Sequence, residues 1–306
     1  MAHTNLQTSP DPLSRCYDVA LLDLDGVVYI GPDAVRGASE ALATAREQGM
    51  RLAFVTNNAA RPPTAIAEHL TRLGIAAERD EVITSSHAAA HYLADRLSPG
   101  AAVLVVGTVG LDEALVERGL RPVYTASDDV AAVVQGYSPD LNWKQLAEGA
   151  VAIRRGVPWV ATNLDPTVPS SRGPLPGNGS LVASLRLATG LDPVSTGKPD
   201  PTMHREAVQR SHAQRPIVVG DRLDTDIEGA NMVGCASLLV LTGVSTARDL
   251  LSVSENLRPA FVSRDVSGLL VAHRAPEVDG ARARCGAWRA ERTGKGELRL
   301  AHAGEA

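Results

Sequence analysis

The sequence predicts an α/β fold of parallel strands, with a second α/β unit inserted into the first. Three observations carry this. Short β-rich apolar runs alternate with helical segments from about residue 15 to 270. Several runs are apolar at nearly every position, as strands covered on both faces must be. And one interval between loop motifs, from Thr56 to Lys198, is far longer than a strand–helix crossover needs.

In chain order, the first run is VALLDLD (19–25), which ends in Asp23, Asp25 and a glycine. GASEALATAREQG (37–49) follows with helical spacing and a closing glycine, a C-cap signal. RLAFVTN (51–57) is the second run, and TAIAEHLTRLG (64–74) a second glycine-stopped helix. AAVLVVG (101–107), VAAVVQG (130–136) and PWVATN (158–163) lie inside the long interval, so roughly 100 residues form a unit with strands of its own. DPTVPSSRGPLPGNGS (165–180) reads as a long loop. PIVVGD (216–221) and ASLLVLTGV (236–244) complete the strands. Strand–helix alternation implies right-handed βαβ units in an α/β sheet. The expected division is a core over 15–83 and 190–270, an insertion over 84–189, and a polar, arginine-bearing tail over 271–306 with a short hairpin (CGAWRAE, GELRLAH).

The bulk composition excludes several classes. The net charge of −5 gives no global attraction to nucleic acid or anionic lipid. Aromatics are 3 % of residues, too few for stacking single-stranded bases. No apolar run approaches the roughly 20 residues that span a bilayer, and the opening MAHTNLQTSPDPLSR has no apolar signal core. Cys16, Cys235 and Cys285 are scattered and odd in number, which argues against a disulfide framework and suits the cytoplasm.

The chemistry gathers at strand ends. Residues two apart on a strand face the same way, so Asp23 and Asp25 project to one side at the carboxyl edge, where open α/β sheets bind ligands. TNN (56–58) offers a hydroxyl and backbone N–H groups before a helix, a setting for an anion. GKPDP (197–201) places Lys198 in a loop, and GDRLDTDI (220–227) ends a strand with Asp221, Asp224 and Asp226. Each alone reads as a turn, a cap or a surface lysine. Together they bring carboxylates, which Mg²⁺ prefers, to the same edge as a lysine and amides, the parts that neutralise a phosphoryl group.

DLDGVVY, TNN, ATNLDP, GKPDP and GDRLDTDI occur in the order seen in the haloacid dehalogenase-like (HAD) phosphatases, and over residues 15–270 the chain resembles that family. The nearest branch is the NagD-type group of p-nitrophenylphosphatase, phosphoglycolate and glycerol-3-phosphate phosphatases. The resemblance implies a Rossmann-like, doubly wound core with an inserted C2-type cap. It implies Mg²⁺ as cofactor and a small phosphorylated metabolite as substrate, with glycerol 3-phosphate and 2-phosphoglycolate foremost. A nucleoside monophosphate or sugar phosphate is the alternative substrate. Asp23 would be the nucleophile that becomes an aspartyl-phosphate, and Asp25 the general acid and base. Thr56, the Asn57 amide and Asn58 would hold the phosphoryl group, and Lys198 would neutralise charge. Asp23, the Asp25 carbonyl and Asp221 would hold Mg²⁺, steadied by Asp226, while Asp224 has no direct role. Relatives often pair through their caps, so a homodimer is a further expectation. An acid at position 25 separates phosphatases from the family's ATPases, which carry threonine there.

The remaining signals are weaker. PLPGNGS lacks the lysine of a P-loop, and the first βα turn lacks GxGxxG, which counts against a nucleotide-cofactor oxidoreductase. The non-enzyme alternative is a Mg²⁺- and phosphate-binding regulator without turnover, which damage to one of the motifs would favour; none is damaged. His87 and His91 lie four apart, on one helix face expected at a surface or interface. Trp143 suits either a core position or, by resemblance, a place beside the substrate in the cap.

Overall fold

The computed structural model describes residues 6–168, 172–294 and 297–302. The strands of its two parallel sheets are, in chain order, β1 (Val19–Leu22), β2 (Arg51–Thr56), β3 (Val82–Thr84), β4 (Ala102–Val106), β5 (Arg121–Val123), β6 (Val130–Gln135), β7 (Trp159–Ala161), β8 (Val194–Ser195), β9 (Pro216–Gly220), β10 (Ala236–Val240) and β11 (Phe261–Ser263). Every expected apolar run is one of them.

The first sheet runs β11-β10-β9-β1-β2-β3, all parallel. Numbered by their order within this sheet, the strands lie 3-2-1-4-5-6, the doubly wound arrangement. The strand order reverses between β1 and β9, so a crevice opens where Asp23 and Asp221 leave their strands. Apolar layers cover both faces. Ala20, Leu22, Leu52, Phe54, Ile217 and Val219 pack against helices 38–47 and 63–72 on one side. Val19, Leu21, Ala53, Val55 and Val218 pack against helices 201–210 and 228–233 on the other. The helices earn these places by spacing: Ala38, Ala41, Leu42 and Ala45 bury one stripe, as do Ile66, Ala67 and Leu70. Gly49 and Gly74 take φ of +93° and +80° just past the two helices, where a side chain would be strained.

The second sheet runs β8-β7-β6-β4-β5, also parallel. Its last strand, Val194–Ser195, lies beyond residue 189, because the chain pairs once more with β7 before returning. The stretch expected as one long loop is shorter: Thr167–Val168 pairs with Leu175–Pro176, and a helix starts at Asn178; residues 169–171 lie outside the described residues. A Cβ on Gly177 would lie 2.5 Å from the Asp165 carbonyl oxygen, and one on Gly179 would lie 2.3 Å from that of Leu164. The glycines of PLPGNGS therefore serve backbone packing.

The tail holds more than one hairpin. Glu277–Asp279, Arg282–Cys285, Trp288–Arg292 and Leu298–His302 form a four-stranded antiparallel sheet. Its register puts Val278, Ala283, Ala290 and Leu300 on one face, and Arg282, Glu291 and Arg299 on the other. That alternation of small apolar and charged residues was masked by the arginine-rich composition.

Candidate active site

The site is built by three strand ends and one loop. β1 is buried throughout, and Asp23 follows it, its N–H donating to the Val219 carbonyl at 2.8 Å. The Val28 and Tyr29 N–H groups then fold back onto the Leu24 carbonyl, and residues 25 and 29 bridge. Gly26 makes this reversal possible at φ +82°. Asp25 therefore sits solvent-exposed on a tight turn, while Asp23 lies half-buried at its root.

Asp221 leaves β9 and is 2 % exposed. Its Oδ2 accepts the Val244 N–H at 2.7 Å, and its carbonyl accepts the Ser245 N–H. A π-helical turn over Leu223–Ile227 then brings Asp226 back into the crevice, its Oδ2 accepting the Arg222 N–H at 3.1 Å. Gly220 lets it in, since a Cβ there would lie 2.1 Å from that of Asp226. Asp224 points away, bidentate with Arg222.

Lys198 arrives from the loop after β8 and is buried. Its Nζ lies 2.6 Å from Asp23 Oδ1 and 2.6 Å from Asp226 Oδ1, and donates at 3.4 Å to the Val55 carbonyl. Burial opposes its charge, but Asp226 and Asp23 outweigh it and hold the ammonium more firmly protonated than usual. Burial pushes Asp23 up to about 8, with Lys198 pulling down and the Asp226 and Asp221 carboxylates pushing further up. Burial and then Asp226 push Asp221 up to about 6. Asp25 is also raised, by partial desolvation of its carboxyl at the crevice mouth, against Lys198, Arg61 and His69.

The Asp23 and Asp221 shifts share one origin. Fully ionised, the three carboxylates and one ammonium would carry two net negative charges in a poorly hydrated place, so Asp23 and Asp221 hold their protons more tightly than usual. Oxygens of Asp23, Asp221 and Asp226 lie within 4.8 Å of one another, and Asp221 Oδ1 is buried without a hydrogen-bond partner. Gly26 and Gly243 wrap the same carboxylate so tightly that a Cβ on either would lie 2.5 or 2.0 Å from Asp221 Oδ2. An all-oxygen donor set with an unused lone pair and an excess of two negative charges fits a hard divalent cation.

Thr56 ends β2, buried, and its Oγ1 accepts the Asn58 N–H at 3.1 Å. Asn58 Oδ1 accepts the Ala60 N–H at 2.8 Å, shaping the loop before helix 63–72. The Asn57 side chain holds Lys198 and Asp165 instead of facing outward. Trp143 stands apart from this hydrogen-bonded group. It is 81 % exposed at the first turn of helix 143–154, so it is not a core residue. His87 is buried, and His91 faces Glu206 on helix 201–210. Sequence reasoning missed the loop after β10, where Thr242, Gly243, Val244 and Ser245 hold Gly26 and Asp221. Its signal was a further apolar run, ASLLVLTGV, ending at the same sheet edge. A cavity of about 710 Å³ lies at the opposite edge, against Tyr17, Arg215 and Cys235, far from this chemistry.

Comparison with known proteins agrees with the geometry. A family model described as haloacid dehalogenase-like hydrolase matches residues 20–121, and a second HAD-hydrolase-like model matches 195–269. D-glycerol 3-phosphate phosphatase of Mycobacterium tuberculosis is 50 % identical over 84 % of this chain and 72 % of its own length. Acid sugar phosphatase of Staphylococcus aureus is 35 % identical over 82 % and 96 %. The solved M. tuberculosis glycerol phosphate phosphatase in complex with magnesium superposes with a TM-score of 0.87 at 44 % identity, over 95 % of this chain and 86 % of that one. A thermostable NPPase of Geobacillus stearothermophilus gives 0.75 at 31 %, over 83 % and 98 %. The motifs, the doubly wound sheet and these relatives agree: the chain belongs to the haloacid dehalogenase-like hydrolases, in the branch that holds these phosphatases, and is an enzyme of that class.

Proposed function

We propose that this chain is a Mg²⁺-dependent phosphomonoesterase whose preferred substrate is glycerol 3-phosphate, acting through an aspartyl-phosphate at Asp23. The observation that carries the reading is Lys198, held between Asp23 and Asp226 beside an Asp221 oxygen that has no partner. Asp23, the Asp25 carbonyl and Asp221 would hold Mg²⁺, which supplies charge neutralisation when bound.

Asp23 attacks phosphorus, and the bond from phosphorus to the leaving oxygen breaks. Asp25 protonates the leaving alkoxide, then takes a proton from the water that cleaves the aspartyl-phosphate. Its raised pKa favours the protonated form the first step needs. Lys198, the Thr56 hydroxyl and the backbone N–H of Asn57 hold the phosphoryl oxygens, while Asn58 turns its own N–H onto Thr56 Oγ1 and shapes the loop. Asp226 anchors Lys198.

The five-stranded unit, over about 84–189 with β8 beyond, acts as a C2-type cap on the core of 15–83 and 190–270, and Trp143 presents an aromatic wall from it. The similarity to D-glycerol 3-phosphate phosphatase supports the substrate, and that to acid sugar phosphatase makes a sugar phosphate the second reading. Free thiols at Cys16, Cys235 and Cys285 suit the cytoplasm, and among the described residues no helix is long and apolar enough to cross a membrane. The test is kcat/KM for glycerol 3-phosphate, sugar phosphates and p-nitrophenyl phosphate, with and without Mg²⁺. A preference for sugar phosphates selects the second reading, and full activity in excess EDTA rejects the metal.

A further inference from the structure

The Asn57 side chain has no hydrogen-bond donor left for a phosphate. Its Oδ1 accepts the Lys198 N–H at 2.8 Å. Its Nδ2 donates at 3.1 Å to the Lys198 carbonyl and at 3.1 Å to Asp165 Oδ2. An amide offers two donors, and both are used. The orientation is fixed as well, because a flipped amide would set its oxygen against a carbonyl and a carboxylate. The Asn57 main chain is tied too: its carbonyl accepts Asn163 Nδ2 at 2.7 Å and Ser85 Oγ at 2.6 Å.

The far side of this knot is the turn after β7 in the five-stranded unit. Asn163 Oδ1 accepts the Asp165 N–H at 3.1 Å, and the Asn163 carbonyl accepts Asn178 Nδ2 at 2.8 Å. Gly197 permits the approach, since a Cβ there would lie 2.2 Å from the Thr162 carbonyl and 2.9 Å from Asn57 Oδ1. The motif ATNLDP thereby touches the residue beside Thr56 and, through it, both backbone polar groups of Lys198.

We propose that Asn57 is a positioning residue: its side chain sets the backbone of Lys198, and Asn163 and Asp165 tie that setting to the seat of the five-stranded unit on the core. This rests on the reading of Lys198 as the group that neutralises phosphoryl charge. A lysine ammonium sits on a flexible stem, so its reach is fixed only where its backbone is fixed. The clasp holds that backbone at both N–H and C=O. A misplacement of about 1 Å in such a group costs on the order of 100-fold in rate.

The experiment compares Asn57→Asp, the exchange Asn57→Asp with Asp165→Asn, Asp165→Ala and Lys198→Met, using p-nitrophenyl phosphate and Mg²⁺ below each variant's melting temperature. Asn57→Asp keeps shape but turns two donated bonds into oxygen–oxygen contacts, and is expected to lower kcat about 100-fold. The exchange restores net charge and the 57–165 bond with its donor reversed. It is expected to recover about tenfold, one hydrogen bond's worth. Asp165→Ala is expected to lose about tenfold, and it decides the matter if Asn57→Asp does not fold. Activity in Asn57→Asp within threefold of the parent overturns the proposal. So does an exchange no better than Asn57→Asp, or an Asp165→Ala variant whose melting temperature falls while kcat holds. Lys198→Met separates the two readings: if it retains substantial activity, the site assignment itself fails, whereas if it is inactive while Asn57→Asp is active, only the clasp fails.

Discussion

Replacing Gly243 by alanine adds one methyl group at the back of the carboxylate cluster. The new Cβ would lie 2.0 Å from Asp221 Oδ2, 2.5 Å from its Cγ and 2.8 Å from its Cβ. Carbon and oxygen need more than 3 Å, so the carboxylate must retreat by over an ångström. The retreat breaks the 2.7 Å bond from the Val244 N–H, a charge-assisted bond worth about 1.5–3 kcal/mol. It also turns the unpartnered Oδ1 away from Asp23 and Asp226. Disturbing what orients a metal ligand costs about 10- to 100-fold in metal affinity. The Mg²⁺ concentration for half-maximal hydrolysis of p-nitrophenyl phosphate should rise by that factor, and excess Mg²⁺ should restore much of the rate. A half-saturation within twofold of the parent would show that Asp221 does not hold the metal.

Asp25→Asn should cripple hydrolysis of glycerol 3-phosphate far more than that of p-nitrophenyl phosphate, whose leaving group barely needs a proton; equal losses in kcat would deny Asp25 the acid role. His87 and His204 are buried, and burial first, then nearby cations, lowers each to about 4, against about 6.5 unfolded. The unfolded chain binds the extra protons between these values, so the histidines' contribution is complete above pH 6.5 and is lost as pH falls toward 4, by about 3 kcal/mol each. The raised Asp23 and Asp221 carboxyls impose the opposite slope, so the check is a difference: on acidification from pH 6.5 to 4, the calorimetric melting temperature of His87→Gln should fall less than that of the parent. Trp143→Ala removes a ring that is 81 % exposed, so the melting temperature should barely move. If the ring closes on substrate, kcat/KM should fall tens- to hundreds-fold more for glycerol 3-phosphate than for p-nitrophenyl phosphate, and an unchanged ratio would remove Trp143 from the pocket.

Seven strands and the carboxylate edge were legible because each is a short, largely apolar run that ends in a polar motif; Val82–Thr84, Arg121–Val123, Val194–Ser195 and Phe261–Ser263 are too short to stand out. Burial on two faces leaves such a run no other place. Asp23, Asp221 and Asp226 could be grouped because parallel strands send their carboxyl ends to one edge, and Lys198 because its motif matches the family's order. What escaped was contact between distant loops. No local pattern says that the glycine of LTGVS presses on Asp221, or that Asn57 turns inward to Lys198 and Asp165. His87 looked like a surface histidine, yet its Nδ1 accepts the Thr84 N–H at 3.2 Å and closes a helix start, a role set by the neighbouring Glu117 and helix 201–210. Nor does composition reveal a sheet in a tail where arginines alternate with small apolar residues.

The most direct measurement of the central claim is a rapid acid quench during turnover of labelled phosphate ester with Mg²⁺, followed by peptide analysis. Label should appear on the peptide that carries Asp23, be lost on treatment with hydroxylamine and be absent from Asp23→Asn, which should be folded and inactive. Steady turnover with no labelled peptide, together with an active Asp23→Asn variant, would contradict it.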